Sequence, residues 1–208
     1  MEQVNNFSVS TLKASLKSCI IEDGYFFHSN GEINTRWLDL GLLNRKLEEQ
    51  EPLFEKALEI LLKEVWTIQE ISSNTIVFST LPDRQLILFP HLIRDIIKGR
   101  NFRTAFVRKI APRVYKIEGK IGESVILCCG LSVHKDIIGK SIDLIRSVEA
   151  RIAGVLVLVH WGEHTTVYRD QAGSEYAYFY LYRIFEVEDE LKIELNGKVK
   201  DKIQYEEV

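Results

Sequence analysis

The sequence predicts an α/β fold, a central and mostly parallel sheet flanked by helices, with a β-rich C-terminal extension. Two continuous apolar runs, 124–130 (SVILCCG) and 152–160 (IAGVLVLVH), flank an amphipathic stretch. Runs of that kind mark strands buried on both faces, and a helix between two of them marks a βαβ crossover. Such crossovers are almost always right-handed, so the two strands lie parallel in one sheet. The third observation is size. A chain of 208 residues, 46% of them apolar, can bury a substantial core in one domain.

Each element follows in order. Ser10 can cap a helix over 11–21, with Leu12, Leu16 and Ile20 on one face. Asp23-Gly24 marks a turn, Tyr25–Phe27 a short strand, Ser29–Glu32 a tight turn and Thr35–Leu40 a return strand. A long helix over 49–65 carries Leu53, Ala57, Leu58, Ile60, Leu61 and Val65 as its stripe, with Pro52 well placed in the first turn. A strand at 74–79, a loop at 81–85 and a helix over 86–98 follow, with Pro90 able to delay that helix's start. A strand at 102–108 leads into 109–120, a mobile loop or hairpin. In the crossover, the helix runs over 137–150 and includes Ile142, Leu144, Ile145 and Val148. Beyond it, 175–187 alternates tyrosines with other apolar residues, which points to burial on both faces or to a partner surface. Asn196-Gly197 between 191–195 and 198–205 reads as a hairpin turn.

Charge and cysteine usage exclude several classes. A net charge of −3 offers no bulk attraction for nucleic acid or an anionic membrane. The cysteines are Cys19, Cys128 and Cys129, with no CxxC spacing, so neither a disulfide framework nor a zinc site is indicated. Cys128 and Cys129 read as buried strand thiols. His134, His160 and His164 show no metal-ligand spacing, and no metal site is expected. Gly139-Lys140-Ser141 is not a P-loop, because the required earlier glycine position holds His134. With no basic-then-apolar leader and no apolar run long enough to span a bilayer, a cytoplasmic location is expected.

The order of parts resembles orotate phosphoribosyltransferase, of the type I phosphoribosyltransferase fold. DGYFFHSNGEINTRWLDL at 23–40 looks like that family's N-terminal hood, placed at about residues 20–45. AFVRKIAPRVYKIEGKIGESVILC at 105–128 looks like the strand ending in Arg-Lys, the mobile loop and the return. VILCCG and GKSIDLI, within 125–145, occupy the place of the phosphoribosyl-pyrophosphate loop, and AGVLVLVHWGEHT at 153–165 that of the last core strand. The resemblance spans about residues 20–165, and the expected domain with its hood is 1–165, leaving 166–208 as the β-rich extension packed on it. It implies residual ligand contacts at the phosphate end from Gly139, Lys140, Ser141 and Asp136, and at the mobile-loop start from Arg108 and Lys109.

Departures from the family pattern are as informative. Where the family has two acidic residues for the ribose hydroxyls and magnesium, this chain has Cys128, Cys129 or Gly130. The pyrophosphate loop, 79–85, has no glycine and contains Pro82, which lacks an N–H. The family's base-binding arginine is replaced by Trp161 and its hood lysine by Ser29 or a neighbour. The expected function is therefore that of a phosphoribosyltransferase-like protein without orotate phosphoribosyltransferase activity, with no catalytic residues assigned. It would bind a protein partner, a nucleotide or a phosphosugar. A divergent phosphoribosyltransferase or other nucleotide-processing enzyme is the alternative. No cofactor is expected, with magnesium entering only if phosphoribosyl pyrophosphate binds. The resemblance also implies a homodimer, and the aromatic strand offers a place for a protein partner.

Overall fold

The computed structural model describes residues 9–22, 24, 26–27, 33–69, 75–79, 88–98, 102–111, 114–132 and 135–205. Its centre is one eight-stranded sheet. Five strands run parallel in the order β6 (Arg103–Ala111), β5 (Thr75–Ser79), β8 (Ser124–Leu131), β9 (Arg151–Trp161) and β11 (Glu175–Val187). β7 (Val114–Glu118) adds antiparallel to β6, and both β10 (Val167–Arg169) and β12 (Glu190–Leu195) add antiparallel to β11. The expected crossover is present, since β8 and β9 pair directly and in parallel through α5 (Lys135–Ser147). Strand order reverses at β5, with β6 on one side and β8 on the other.

Helices cover both faces. On one side, α1 (Val9–Lys17), α2 (Leu40–Glu48), α3 (Glu51–Gln69), α4 (Leu88–Ile96) and α6 (Gly197–Tyr205) bury a core with Ile76, Phe78, Ile126, Cys128, Leu156, Leu158 and Leu181 of the sheet. On the other side, Ile138, Ile142 and Ile145 of α5 pack on Val77, Val107, Leu127, Cys129, Val155 and Val157. Successive residues of β8 therefore feed opposite cores, and this is why its sequence is apolar without alternation. Small strands complete the N-terminal part: β1 (Ile20–Ile21) pairs with β4 (Trp37–Leu38), and β2 (Phe26–Phe27) with β3 (Ile33–Asn34). Among the described residues, no helix is long and apolar enough to cross a membrane.

Several expectations shift. The crossover helix ends at Ser147, not at residue 150, because Glu149 adopts φ +60° and closes the helix. The Ala150 N–H reaches the Ile145 carbonyl and the Glu149 N–H that of Arg146, a paired capping arrangement that stops propagation. Val148 consequently lies exposed past the helix end. Within 109–120, residues 109–111 end β6 and 114–118 form β7, its antiparallel partner, with Pro112 and Arg113 outside the described residues. The loop at 81–85, Ser29 and His134 also lie outside them.

The largest correction is C-terminal. Asn196-Gly197 is not a hairpin turn but the start of α6. Asn196 Oδ1 accepts the N–H of Lys198 at 3.2 Å, and its Nδ2 donates to the Tyr180 carbonyl. The hairpin instead joins β11 to β12 through Glu188 and Asp189, both with positive φ, and Val187 pairs with Glu190 across it. Two consecutive left-handed residues match the twist of the flanking strands, a role usually given to Asn-Gly. β11 itself is buried on both faces, with Tyr178, Phe179, Tyr180, Leu181 and Tyr182 all inside the chain. Of the two expected readings of this stretch, burial on both faces holds for Tyr178 to Tyr182.

One polar cluster fixes the turn between β10 and β11 to α5. Asp170, its side chain 4% exposed, meets Arg146 Nη1 of α5 at 2.8 Å and accepts from the Ser174 N–H at 2.8 Å and the Tyr176 hydroxyl at 3.0 Å. Burial works against the charged carboxylate, but those three donors outweigh it and hold its pKa below the ordinary value. A lowered folded-state pKa means stability that is present above the unfolded value and lost as pH falls through the folded one. Asp170→Asn should therefore lower the melting midpoint at neutral pH. The gap between variant and parent should close in acid, below about pH 4; a gap independent of pH would contradict this role.

Candidate functional site

Parallel strands of an open sheet place ligands beyond their carboxyl ends. That end of this sheet carries a cavity of about 650 Å³. Its floor is Leu131 and Ser132 at the end of β8, His160 and Trp161 at the end of β9, and Tyr178 of β11. Thr35, Arg36, Trp37 and Leu38 close it from the N-terminal part, Thr165, Val167, Tyr168 and Arg169 from the β10 side, and Ile138 from the first turn of α5. Its volume lies in the range of small-molecule sites, and the lining combines aromatic walls with a few convergent polar groups.

The polar centre is His160. Its Nε2 lies 2.7 Å from the Glu163 carbonyl oxygen, which can only accept, so Nε2 carries the proton. Nδ1 then holds the lone pair, facing Ser132 Oγ at 3.1 Å and the Tyr178 hydroxyl at 3.0 Å. The ring is held between aromatics, near-parallel to Tyr180 at 5.2 Å and edge-on to Tyr178 at 5.4 Å. Ser132 Oγ also accepts the Trp161 N–H at 2.9 Å, tying β8 to β9 at the cavity floor. Burial pushes the Tyr178 hydroxyl well above its ordinary pKa, and it stays protonated. Beside this group, His164 Nδ1 contacts the Tyr180 hydroxyl.

The charged residues of the lining are largely matched. Arg36 donates to Glu186 Oε1 and to the Asp189 carbonyl, both at 2.7 Å, so the hood is fastened to the β11–β12 turn. Arg169 pairs with Glu175.

Among the described side chains, Gly139, Lys140, Ser141 and Arg108 are outside the cavity lining. Gly139, Lys140 and Ser141 occupy the fifth to seventh positions of α5, beyond the amides that a helix leaves free at its start. Ser141 is buried and donates to Ser79 Oγ at 3.1 Å, joining α5 to the end of β5. Lys140 extends over the Tyr115 ring of β7. Gly139 is nearest the cavity, since a β-carbon there would lie 3.9 Å from the Tyr168 hydroxyl. Asp136 lies in the first turn of the same helix. Arg108 and Lys109 pair with Lys116 and Tyr115 across the β6–β7 hairpin, and Arg108 forms an ion pair with Glu118 at 2.8 Å. The Lys116 ammonium, with help from Arg108, holds the Glu118 carboxyl below its usual range.

Sequence reasoning points to 129–141, the end of the first crossover strand and the stretch after it, as the ligand end, and that stretch contains Ser132, but it does not single out Ser132, Tyr168 or Tyr178. Gly130-Leu-Ser132 at a strand end was a visible signal, but His160 as its partner required the register of β8 against β9.

No protein-family model matches the chain, and neither does any curated protein sequence. Solved structures do match. Orotate phosphoribosyltransferase from Aeropyrum pernix superposes with a TM-score of 0.55 at 20% identity, over 93% of this chain and 98% of that one. The same enzyme from Mycobacterium tuberculosis H37Rv, in complex with inorganic phosphate, gives 0.53 at 18% identity over 81% and 91%. An adenine phosphoribosyltransferase gives 0.52 at 14% identity over 81% and 98%. Two base specificities share this architecture, so the likeness carries the scaffold and not the substrate. With the parallel strand order, the crossover and the N-terminal strands accounted for, the chain has the type I phosphoribosyltransferase fold seen in orotate and adenine phosphoribosyltransferases.

Proposed function

We propose that this chain is a phosphoribosyltransferase-like protein that binds a nucleotide or phosphosugar in the cavity beneath its N-terminal strands and does not transfer phosphoribosyl groups to orotate. The observation that carries the reading is the end of β8. Cys128, Cys129 or Gly130 stand where the family resemblance places the acidic pair, and the two cysteines are 1% and 2% exposed, one in each core. Burial pushes the Cys128 thiol far above its ordinary pKa, so it supplies no anion for a metal or diol. The cavity meanwhile keeps the size and aromatic walls of a small-molecule site.

Trp37 and Trp161 line the cavity and report on its occupancy. Titration with uridine monophosphate, adenosine monophosphate or ribose 5-phosphate should quench tryptophan emission with half-saturation below about 1 mM, a free energy of roughly −4 kcal/mol. Trp161→Phe should remove much of the change. A flat response to all three compounds, in fluorescence and in calorimetry, would refute the reading.

A further inference from the structure

We infer that Ser132 is a base-activated nucleophile able to accept an acyl group from an ester or thioester entering the cavity. This does not rest on nucleotide binding. A serine hydroxyl becomes a nucleophile when a neighbouring base takes its proton and a third group orients that base. All three parts are present. Ser132 Oγ lies 3.1 Å from His160 Nδ1, and the opposite ring nitrogen, Nε2, donates to the Glu163 carbonyl at 2.7 Å. The tautomer required of a general base is thereby fixed, with the Nδ1 lone pair facing both the serine and the Tyr178 hydroxyl. Stacking on Tyr180 holds the ring in that orientation.

The position of Ser132 suits the role. It directly follows β8, three residues before α5 begins at Lys135, and it lines the cavity floor although only 7% exposed. A strand-to-helix junction presents a side chain at the carboxyl end of the sheet, next to amides that the first helical turn leaves without partners. Ile138, in that turn, lines the same cavity. The Trp161 N–H, donating to Oγ at 2.9 Å, would stabilise negative charge developing on the serine.

The steps balance with water as the second reactant. Ser132 Oγ bonds to the carbonyl carbon while its proton passes to His160 Nδ1, and the carbonyl π-pair moves onto oxygen. Collapse of that adduct breaks the bond to the alcohol or thiol, which leaves with the Nδ1 proton. Water then attacks the acyl-serine, gives a proton to Nδ1, and Ser132 departs with it. The products are a carboxylic acid and the free alcohol or thiol. Nε2–H stays on the Glu163 carbonyl throughout and steadies the transient imidazolium. Tyr178, 3.0 Å from Nδ1, competes for the lone pair in the resting state.

The test is a fluorophosphonate probe on the full chain, followed by peptide mass spectrometry. One adduct is expected, on Ser132, with fluoride displaced and the labelling rate rising with pH to a plateau as His160 loses its proton. Ser132→Ala should abolish the adduct. His160→Gln should slow labelling at least 100-fold and flatten the pH profile, within the range expected for a lost general base. Should either variant fail to fold, Ser132→Cys takes its place, and iodoacetamide should then alkylate position 132 ahead of the buried Cys128 and Cys129. No adduct on the parent chain, an adduct elsewhere, or His160→Gln labelling within twofold of the parent would overturn the assignment. So would a thiol introduced by Ser132→Cys that reacts no faster than the two buried ones.

Discussion

Incubated with orotate, phosphoribosyl pyrophosphate and magnesium, the chain should form no detectable orotidine monophosphate. The family resemblance assigns the ribose hydroxyls and metal to two carboxylates at the strand end before the phosphate loop. Here that strand end is Cys128-Cys129-Gly130, buried between two packed faces. The resemblance also implies two threonines in the phosphate loop, where this chain has Ile137 and Ile138, and Gly139 to Ser141 lie within α5. Each charge-assisted hydrogen bond contributes roughly 1.5–3 kcal/mol. Losing several of them removes several factors of ten in ground-state affinity alone, at about 1.4 kcal/mol per factor. Contacts made only in the transition state would cost further rate. Grafting one carboxylate back by Cys128→Asp should not rescue activity, because position 128 faces the apolar core of α3, α4 and their neighbours. It should instead destabilise the protein, since an unpaired buried charge is costly. Turnover on the order of one per second, typical of ordinary enzymes, would contradict the prediction.

Tyr182→Ala should be among the most damaging single truncations, costing about 3–5 kcal/mol of unfolding free energy. Tyr182 is the largest fully buried side chain of the described residues. It sits where β11 pairs with both β9 and β12, opposite Val159 and Leu195, so its ring supports the extension and the domain together. The hydroxyl tells a separate story, for it has no hydrogen-bond partner among the described residues. A buried polar atom without a partner costs about 1–3 kcal/mol. Tyr182→Phe should consequently be neutral or stabilising, while Tyr182→Ala is severe. Chemical denaturation of both variants separates ring from hydroxyl. A phenylalanine variant as unstable as the alanine one would show that the hydroxyl is bonded in solution.

The parts of the fold legible in the sequence were those where one physical signal had no competitor. Residues 124–130 and 152–160 could only be strands buried on both faces, and the crossover followed from chain geometry. The α3 stripe was equally plain, because Leu53, Ala57, Leu58, Leu61 and Val65 recur at helical spacing and are buried. α2 was missed although Leu40, Leu43 and Leu47 have that same spacing. Its start, Asp39-Leu40, reads as the end of the preceding strand, whereas Asp39 is the cap and accepts the Leu42 N–H at 2.9 Å. Asn196-Gly197 misled for a related reason. Asparagine accepts local N–H groups equally well at a turn and at a helix start, and the choice rests on what α6 can bury, here Val199 and Ile203. The cavity was only half legible. Its location at the strand ends followed from topology, but the Ser132–His160–Tyr178 contact joins the residue after β8 to residues of β9 and β11 and depends on register that no local pattern encodes.

The central claim is that this scaffold no longer holds the diol and metal of a phosphoribosyl donor. It is tested most directly by calorimetric titration of phosphoribosyl pyrophosphate with and without magnesium. Any binding should be weak and equal in the two conditions, since the buried Cys128-Cys129 end of β8 offers no carboxylate to the metal. Affinity tighter than about 10 μM that falls at least tenfold on chelation of magnesium, a difference of roughly 1.4 kcal/mol, would contradict the account.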